Sequence, residues 1–294
     1  MIIIDGKKIA QDIRNELKSA IEKLKTSGSD VPGLVAILVG DNPASESYVR
    51  GKAKACEEIG MRAVTERHPS DMTEKALLDL IESYNSNSKF NGILVQLPLP
   101  KHIDEDKVIE AISPTKDVDG FHPISVGNLV IGKPAFRSCT PAGIQELLIR
   151  YKIETKGKHV VVLGRSNIVG KPIANIMLQK KEFANSVVTI CHSAAPDVSY
   201  YTKQADILIA AMGSPKFVKG NMVKDGVVVI DVGINRIEDN TASKGYKLVG
   251  DVNFDEVSKK ASYITPVPGG VGPMTITMLM MNTVKAAKRA AGLK

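Results

Sequence analysis

The chain has 294 residues, 43 % of them hydrophobic, enough to bury the cores of two domains, and carries a net charge of +7. It lacks any run of about eighteen apolar residues, and its start, MIIIDGKKIAQD, meets charged residues too early for a signal peptide, so a cytoplasmic protein without a membrane partner is expected. Three cysteines without a C-x-x-C pair and histidines without H-E-x-x-H spacing argue against disulfides and metal, while dispersed basic residues and 4 % aromatic content favour small anions over nucleic acid.

Apolar residues at Ile9, Ile13, Leu17, Ile21 and Leu24 predict an amphipathic helix from Gly6 to about Lys25. Val35 to Gly40 reads as a buried parallel strand. Asn42 then supplies an N-cap and Pro43 a first helical position for a helix ending at Gly60. Tyr48 and Lys52 are four apart on it and share a face. That pair is either part of a solvated surface or a phenol beside an amine that, withdrawn from water, exchanges protons near neutral pH. A strand around Met61 to Glu66 and a helix from Thr73 to about Tyr84 precede GILVQLPLP. Here Gln96 interrupts the apolar run at the strand's carboxyl end, where α/β sheets bind ligands; it either serves a site or satisfies loop backbone. After a short helix over Asp104 to Ile112, the residues Asp117, Asp119, Gly120, His122 and Pro123 are turn formers. Asp119 is also placed to hold an amino-substituted ring. Thr140 and Pro141 predict the start of another helix.

His159 to Pro172, HVVVLGRSNIVGKP, reads as strand, glycine-bounded turn and helix start, the layout of a dinucleotide loop. Its spacing departs from G-x-G-x-x-G, because Arg165 and Ser166 stand where a second glycine is usual, so an ordinary turn is the competing reading. The next strand, Val187 to Cys191, is followed by His192 and Ser193 with no acid to take a ribose 2′-hydroxyl, which with Arg165 favours NADP over NAD. Strands at 205–213 and 226–233 continue the rhythm of a doubly wound sheet. Residues 236–245 are polar and predict a mobile loop. In TPVPGGVGPMT, Gly269, Gly270 and Gly272 permit close backbone approach to a ligand or form a hinge, and a helix runs from Met274 to about Ala291.

Together DNPASESYVRGKAKACEEIG, GILVQLPLP, KDVDGFHP, CTPAGI, VVLGRSNIVGKP, TICHS, DVGIN and TPVPGGVGPMT closely resemble bifunctional methylenetetrahydrofolate dehydrogenase/cyclohydrolase, from end to end. The resemblance implies an α/β fold of two domains: a three-layer parallel-sheet substrate domain (residues 1–139 with 274–294) and a Rossmann-like NADP-binding domain (140–273), with a cleft between them. It implies a catalytic lysine at Lys52, a ring-stacking tyrosine at Tyr48, an assisting glutamine at Gln96 and a pterin-holding aspartate at Asp119. Folate contacts are further implied at Val95, Leu97 and the loop Pro268, Gly269, Gly270, Val271 and Gly272. NADP contacts fall on Gly164, Arg165, Ser166, Ser193 and Ile234. A folate substrate and a homodimer follow from the same likeness. Ser125 stands where the family pattern has asparagine, and Ala194-Ala195 where it has Lys-Thr. Two other readings compete: an NADP dehydrogenase of a small hydroxy or keto acid, which would need a basic anion site, and a non-catalytic dinucleotide sensor or nucleic-acid binder.

Overall fold

A computed structural model describes residues 1–239, 241 and 245–293. The chain begins with β1 (Ile2–Ile3), α1 (Gly6–Thr26), β2 (Gly33–Val39), α2 (Pro43–Glu58), β3 (Arg62–His68), α3 (Glu74–Asn85) and β4 (Gly92–Val95). There follow α4 (Glu105–Ala111), α5 (Pro123–Val130), α6 (Cys139–Arg150), β5 (His159–Leu163), α7 (Gly170–Met177), β6 (Val187–Cys191) and α8 (Val198–Thr202). Last come β7 (Ile207–Ala210), β8 (Val228–Asp231), β9 (Asn235–Glu238), β10 (Tyr246–Val249), α9 (Phe254–Val257), β11 (Tyr263–Ile264) and α10 (Val271–Ala290).

These form two compact units, one of residues 11–139 with 276–294 and the other of 1–10 with 140–275. The first ten residues therefore leave the domain in which the sequence reading put them. The cause is backbone pairing: β1 lies parallel to β11, Ile2 opposite Tyr263, and Lys7 N donates to Gly269 O at 3.0 Å. A Cβ on Gly6 would stand 1.8 Å from Gly270 O, so only glycine fits at that contact.

In the unit of residues 11–139 and 276–294, the sheet order is β3-β2-β4, all parallel. Side chains alternate across a strand. Val35, Ile37, Val39, Ile93 and Val95 turn to one face and pack with Leu77 and Ile81 of α3 and Val108 of α4. Leu77 and Ile81, both fully buried, each contribute roughly 2 kcal/mol by leaving water. Gly92 points the other way, where a Cβ would meet Thr283 Oγ1 of α10 at 3.1 Å. Helices on both faces of the sheet make three layers.

The other unit carries a sheet ordered β1-β11-β8-β7-β5-β6, again all parallel. From β5 the chain moves to β6 on one side and then to β7, β8 and β11 on the other. The strand order thus reverses at β5, and the crevice for a ligand lies at the carboxyl ends of β5 and β7. Its core joins Val161, Leu163, Leu208, Ala210, Val229 and Ile264 with Val257 of α9.

Four local readings change. Pro123 to Val130 is a helix, capped by His122 Nδ1, which accepts from Ile124 N at 3.0 Å. Thr140 lies inside α6 rather than capping it, its hydroxyl paired with that of Thr275 at 2.9 Å. The polar stretch 236–245 opens as β9, antiparallel to β10; Asn240 and residues 242–244 of that stretch lie outside the described residues. Helix α10 starts at Val271, with Pro273 in its first turn, where its missing N–H has no intrahelical acceptor in any case. Among the described residues no helix is long and apolar enough to cross a membrane, and no cluster of three metal-ligating side chains occurs.

Candidate active site

The start of α2 sets the first group. Ser45 N donates to Asn42 Oδ1 at 3.3 Å and Pro43 opens the helix, which carries Tyr48 and, one turn later, Lys52. Lys52 is 7 % exposed and its Nζ donates to Gln96 Oε1 at 3.0 Å. Gln96 follows β4 and continues its ladder, its N–H donating to Ile37 O at 2.9 Å. Its own Nε2 donates to Leu97 O at 2.8 Å, which holds the amide with its oxygen toward the lysine. Tyr48 leaves 40 % of its surface exposed, yet burial around its hydroxyl raises the phenol above its ordinary pKa. Val95 and Leu97 turn their side chains into the core beneath α3 and α4, so what they present beside Gln96 is backbone.

Asp119 reaches the same place through a loop built by Asp117. Asp117 is 3 % exposed; its carboxylate accepts from Gly120 N and Phe121 N at 3.1 Å and from His122 N at 3.0 Å. Gly120 sits at φ +72°, and a Cβ there would lie 2.6 Å from the Arg137 carbonyl carbon, so the turn requires glycine. Burial raises Asp119 above the usual carboxylate pKa, and the Lys52 ammonium pulls it back down. Lys52, Gln96 and Asp119 therefore form one electrostatic group: a buried cation, the amide that fixes it, and a carboxyl that it partly keeps ionised.

Two residues outside the sequence reading support this group. Cys139 Sγ donates to Asp119 Oδ1 at 3.6 Å and to Val118 O at 3.4 Å. Asn282 Nδ2 donates to Val118 O at 2.8 Å and to Arg137 O at 3.0 Å, tying the Asp119 loop to the strand-like segment that passes it. Nothing local marks Asn282, because its partners lie far away in the chain. Asn282→Ala takes the amide donor from both carbonyls, leaving Val118 O with the weaker Cys139 thiol, and should cost about 1–3 kcal/mol. Urea unfolding reads the loss, and faster amide exchange at residues 118–120 locates it.

In the other unit, Gly164 ends β5 at φ +126°, and a Cβ there would stand 2.2 Å from Ala211 O at the end of β7. Gly170 is equally confined, with Gly164 O 2.2 Å from its ideal Cβ. The two glycines let the backbone close over the point where the strand order reverses. Arg165 and Ser166 are exposed. Ser166 Oγ accepts from Val169 N at 3.1 Å and Gly170 N at 3.2 Å, which ties the turn to the start of α7. Ser193 is exposed in a turn after β6, where Ala195 N donates to His192 O at 2.9 Å, and this turn holds no carboxylate. Ile234, 47 % exposed, lies beside Gly272, whose ideal Cβ is 3.4 Å from Ile234 Cδ1. Of the proline-glycine loop, Pro268 is exposed and Gly272 half-buried, while Gly269, Gly270 and Val271 are buried.

A pair of buried acids holds the loops around Ile234. Asp251 accepts from Met212 N at 2.6 Å, Gly213 N and Ser214 N at 2.9 Å, and Asn235 Nδ2 at 2.9 Å. Asp231 accepts from Gly233 N, Asp251 N and Val252 N, and burial still pushes its carboxyl up to about 7. Cavity size does not locate either site. A concavity of about 670 Å³ lies along β3, lined by Arg50, Lys54, Glu57 and Arg62 among others, and contains none of the candidate residues.

The crevice fits a dinucleotide. Glycine closes the turn at the strand reversal, Arg165 is free to face solvent, and residues 192–196, directly after β6, hold no acid to repel a 2′-phosphate.

Comparison with known proteins agrees with both halves. Residues 4–119 match the family model for the catalytic domain of tetrahydrofolate dehydrogenase/cyclohydrolase, and residues 138–291 match that for its NAD(P)-binding domain. The bifunctional protein FolD of Chloroherpeton thalassium is 59 % identical over 97 % of this chain and 98 % of its own. The crystal structure of the bifunctional FolD dehydrogenase/cyclohydrolase from Campylobacter jejuni is similar at a TM-score of 0.93 and 50 % identity, covering 99 % of each chain. A Trypanosoma brucei methylenetetrahydrofolate dehydrogenase-cyclohydrolase, solved with NADP and an inhibitor, is similar at 0.93 and 40 % identity over 99 % of this chain and 98 % of that one. With the buried lysine and glutamine at one strand end and the glycine-closed crevice at another, these matches lead to one conclusion: the chain belongs to the tetrahydrofolate dehydrogenase/cyclohydrolase family.

Proposed function

We infer that this protein oxidises 5,10-methylenetetrahydrofolate to the methenyl form with NADP and hydrolyses the product to 10-formyltetrahydrofolate. The observation that carries the reading is the buried Lys52 ammonium, held by Gln96 and sharing its field with Asp119. A solvated surface lysine would have neither partner. Asp119 holds the amino-substituted pterin ring through charge-assisted hydrogen bonds, and Tyr48 gives the next ring an exposed flat face. Backbone at Val95 and Leu97, with the loop Pro268, Gly269, Gly270, Val271 and Gly272, completes the folate contacts. Gly164, Arg165, Ser166, Ser193 and Ile234 hold NADP, which when bound supplies the hydride acceptor.

The residues of the chain then act on position and protons. The first step needs little more from them than orientation of the one-carbon bridge. In the second, water adds to the methenyl carbon. Lys52 takes up and returns the protons that this addition and the ring opening move, while Gln96 keeps the ammonium aimed. Of the folate contacts, Tyr48, Lys52, Val95, Gln96, Leu97 and Asp119 belong to the unit of residues 11–139 with 276–294, while the loop Pro268 to Gly272 and the NADP contacts belong to that of 1–10 with 140–275.

An ultraviolet assay tests the reading directly. Reduced cofactor should appear with methylenetetrahydrofolate and NADP, faster than with NAD, and the methenyl absorbance should then decay. No reduction of NADP would overturn it. Asp119→Ala should raise the folate KM about a hundredfold, the loss of charged hydrogen bonds of roughly 3 kcal/mol, with NADP affinity unchanged in calorimetry. Equal folate affinity in the variant would remove Asp119 from its role. We also propose a cytoplasmic homodimer, which light scattering tests against the 31.6 kDa mass of one chain.

A further inference from the structure

The unit that holds Lys52 has a second concavity, of about 440 Å³, at the opposite end of β4. Asn91 lines it just before the strand and Gln96 follows the strand, so at about 3.3 Å per residue the two places lie roughly 16 Å apart. Pro114, Ile124, Pro134 and Phe136 give it apolar wall, with Asn91, Thr115, Ser125 and Asn128 as uncharged polar lining. Ile124 is 53 % exposed although it sits at the rim of a cavity able to hold an apolar body.

The charge around it is of one sign. Arg289 lines the cavity with its guanidinium carbon 4.8 Å from the centre of the Phe136 ring, and Lys285 Nζ stands 5.9 Å from the same ring. These two are one turn apart on α10, a spacing at which like charges repel. Arg137 adds a third cation. Burial first, then repulsion from Arg289 and Arg137, lowers Lys285 below the usual lysine range, and burial lowers Arg137 as well. Among the described residues no acid lines the cavity. Asp117 stands behind Ser125, which lines the wall, and its oxygens are already committed to Ser125 and to the amides of Gly120, Phe121 and His122. Lys116, also in the wall, is committed to the Tyr84 and Asn87 carbonyls at 2.7 and 2.8 Å. Lys285 lies outside the lining and donates from Nζ to Ala135 O at 3.4 Å, so Arg289 is the lining cation left facing the opening.

We propose that this cavity is a second binding site, for a small aromatic anion whose ring lies against Ile124, Pro114 and Pro134 and whose carboxylate or phosphate meets Arg289. Such a ligand places apolar surface where the walls are apolar and a negative charge beside Arg289, in a field to which Lys285 and Arg137 add. The site is distinct from the folate and NADP contacts, and its occupancy does not depend on the reaction proposed above.

Calorimetry on the full chain with saturating NADP tests it, using 1-naphthyl phosphate, 1-naphthoate and the uncharged 1-naphthol as probes. At least one anion should bind one-to-one and at least tenfold more tightly than 1-naphthol, and the preferred anion tells phosphate from carboxylate. Arg289→Ala should remove that tenfold preference. Ala290→Trp, at an exposed lining position, should block the mouth and weaken all three probes. Both variants should keep wild-type dehydrogenase rates. Absence of binding, equal affinity for the anions and 1-naphthol, or anion binding that neither substitution changes would each overturn the proposal.

Discussion

Lys52→Ala is expected to abolish methenyltetrahydrofolate hydrolysis while the protein stays folded. The ammonium is the buried cation that donates to Gln96 Oε1 at 3.0 Å, and among the described residues placed with it are an amide, a carboxyl that would lack its counter-charge and the Tyr48 phenol, which burial holds above its ordinary pKa. General acid-base catalysis by a positioned group contributes about 10²–10⁴-fold, so kcat should fall by roughly that factor. Burial already raises Asp119, and Lys52 is what opposes the rise; in the variant Asp119 should hold its proton to higher pH. A stopped-flow measurement of methenyl decay reads the rate, and circular dichroism with NADP calorimetry reads the fold. Hydrolysis at the wild-type rate would remove the lysine from the mechanism.

Asp251→Ala should have the largest effect on stability. The carboxylate accepts three consecutive backbone amides after β7 and the Asn235 side chain after β8. Alanine can accept none of them, and each buried donor left unmade costs on the order of 1–3 kcal/mol. Water reaches some of these part-buried groups, so a net loss of about 4 kcal/mol is expected. For a unit of this size that lowers Tm on the order of 10 °C. The affected loops adjoin Ile234, and NADP affinity should fall with Tm. A scanning calorimetry shift below about 2 °C would mean that the loops hold themselves.

The parts of the fold and site that were legible in the sequence are those with short-range causes. Tyr48 and Lys52 share a helix face by spacing alone, and Gln96 stands out because it interrupts an apolar run at a strand end. Asp119 and Gly120 form a turn whose glycine is required by φ. What escaped has long-range causes. Asn282 reads as one more polar residue on a helix, and its task is set by carbonyls at Val118 and Arg137. Helix α5 was hidden because its cap is a histidine ring, outside the usual capping set, although Pro123 marked its first turn. Thr140 has the chemistry of a cap but spends its hydroxyl on Thr275. Residues 235–238 carry no alternation that a hairpin needs, and their pairing with β10 decides their shape. The hydroxyl of Ser166, which accepts from Val169 N and Gly170 N, is a local contact that the glycine spacing did not reveal.

The pairing of Ile2 with Tyr263 has a consequence for how the molecule is made. β1 must wait for its neighbour until residues 4–262 have emerged, roughly ten to fifty seconds at ordinary elongation rates. During that interval the six-stranded sheet has no finished border, and Ile2 and Ile3 are open to the wrong edges. Completion of that sheet therefore waits on β11, and alterations at Ile2 or Ile3 act on strands encoded far downstream of them.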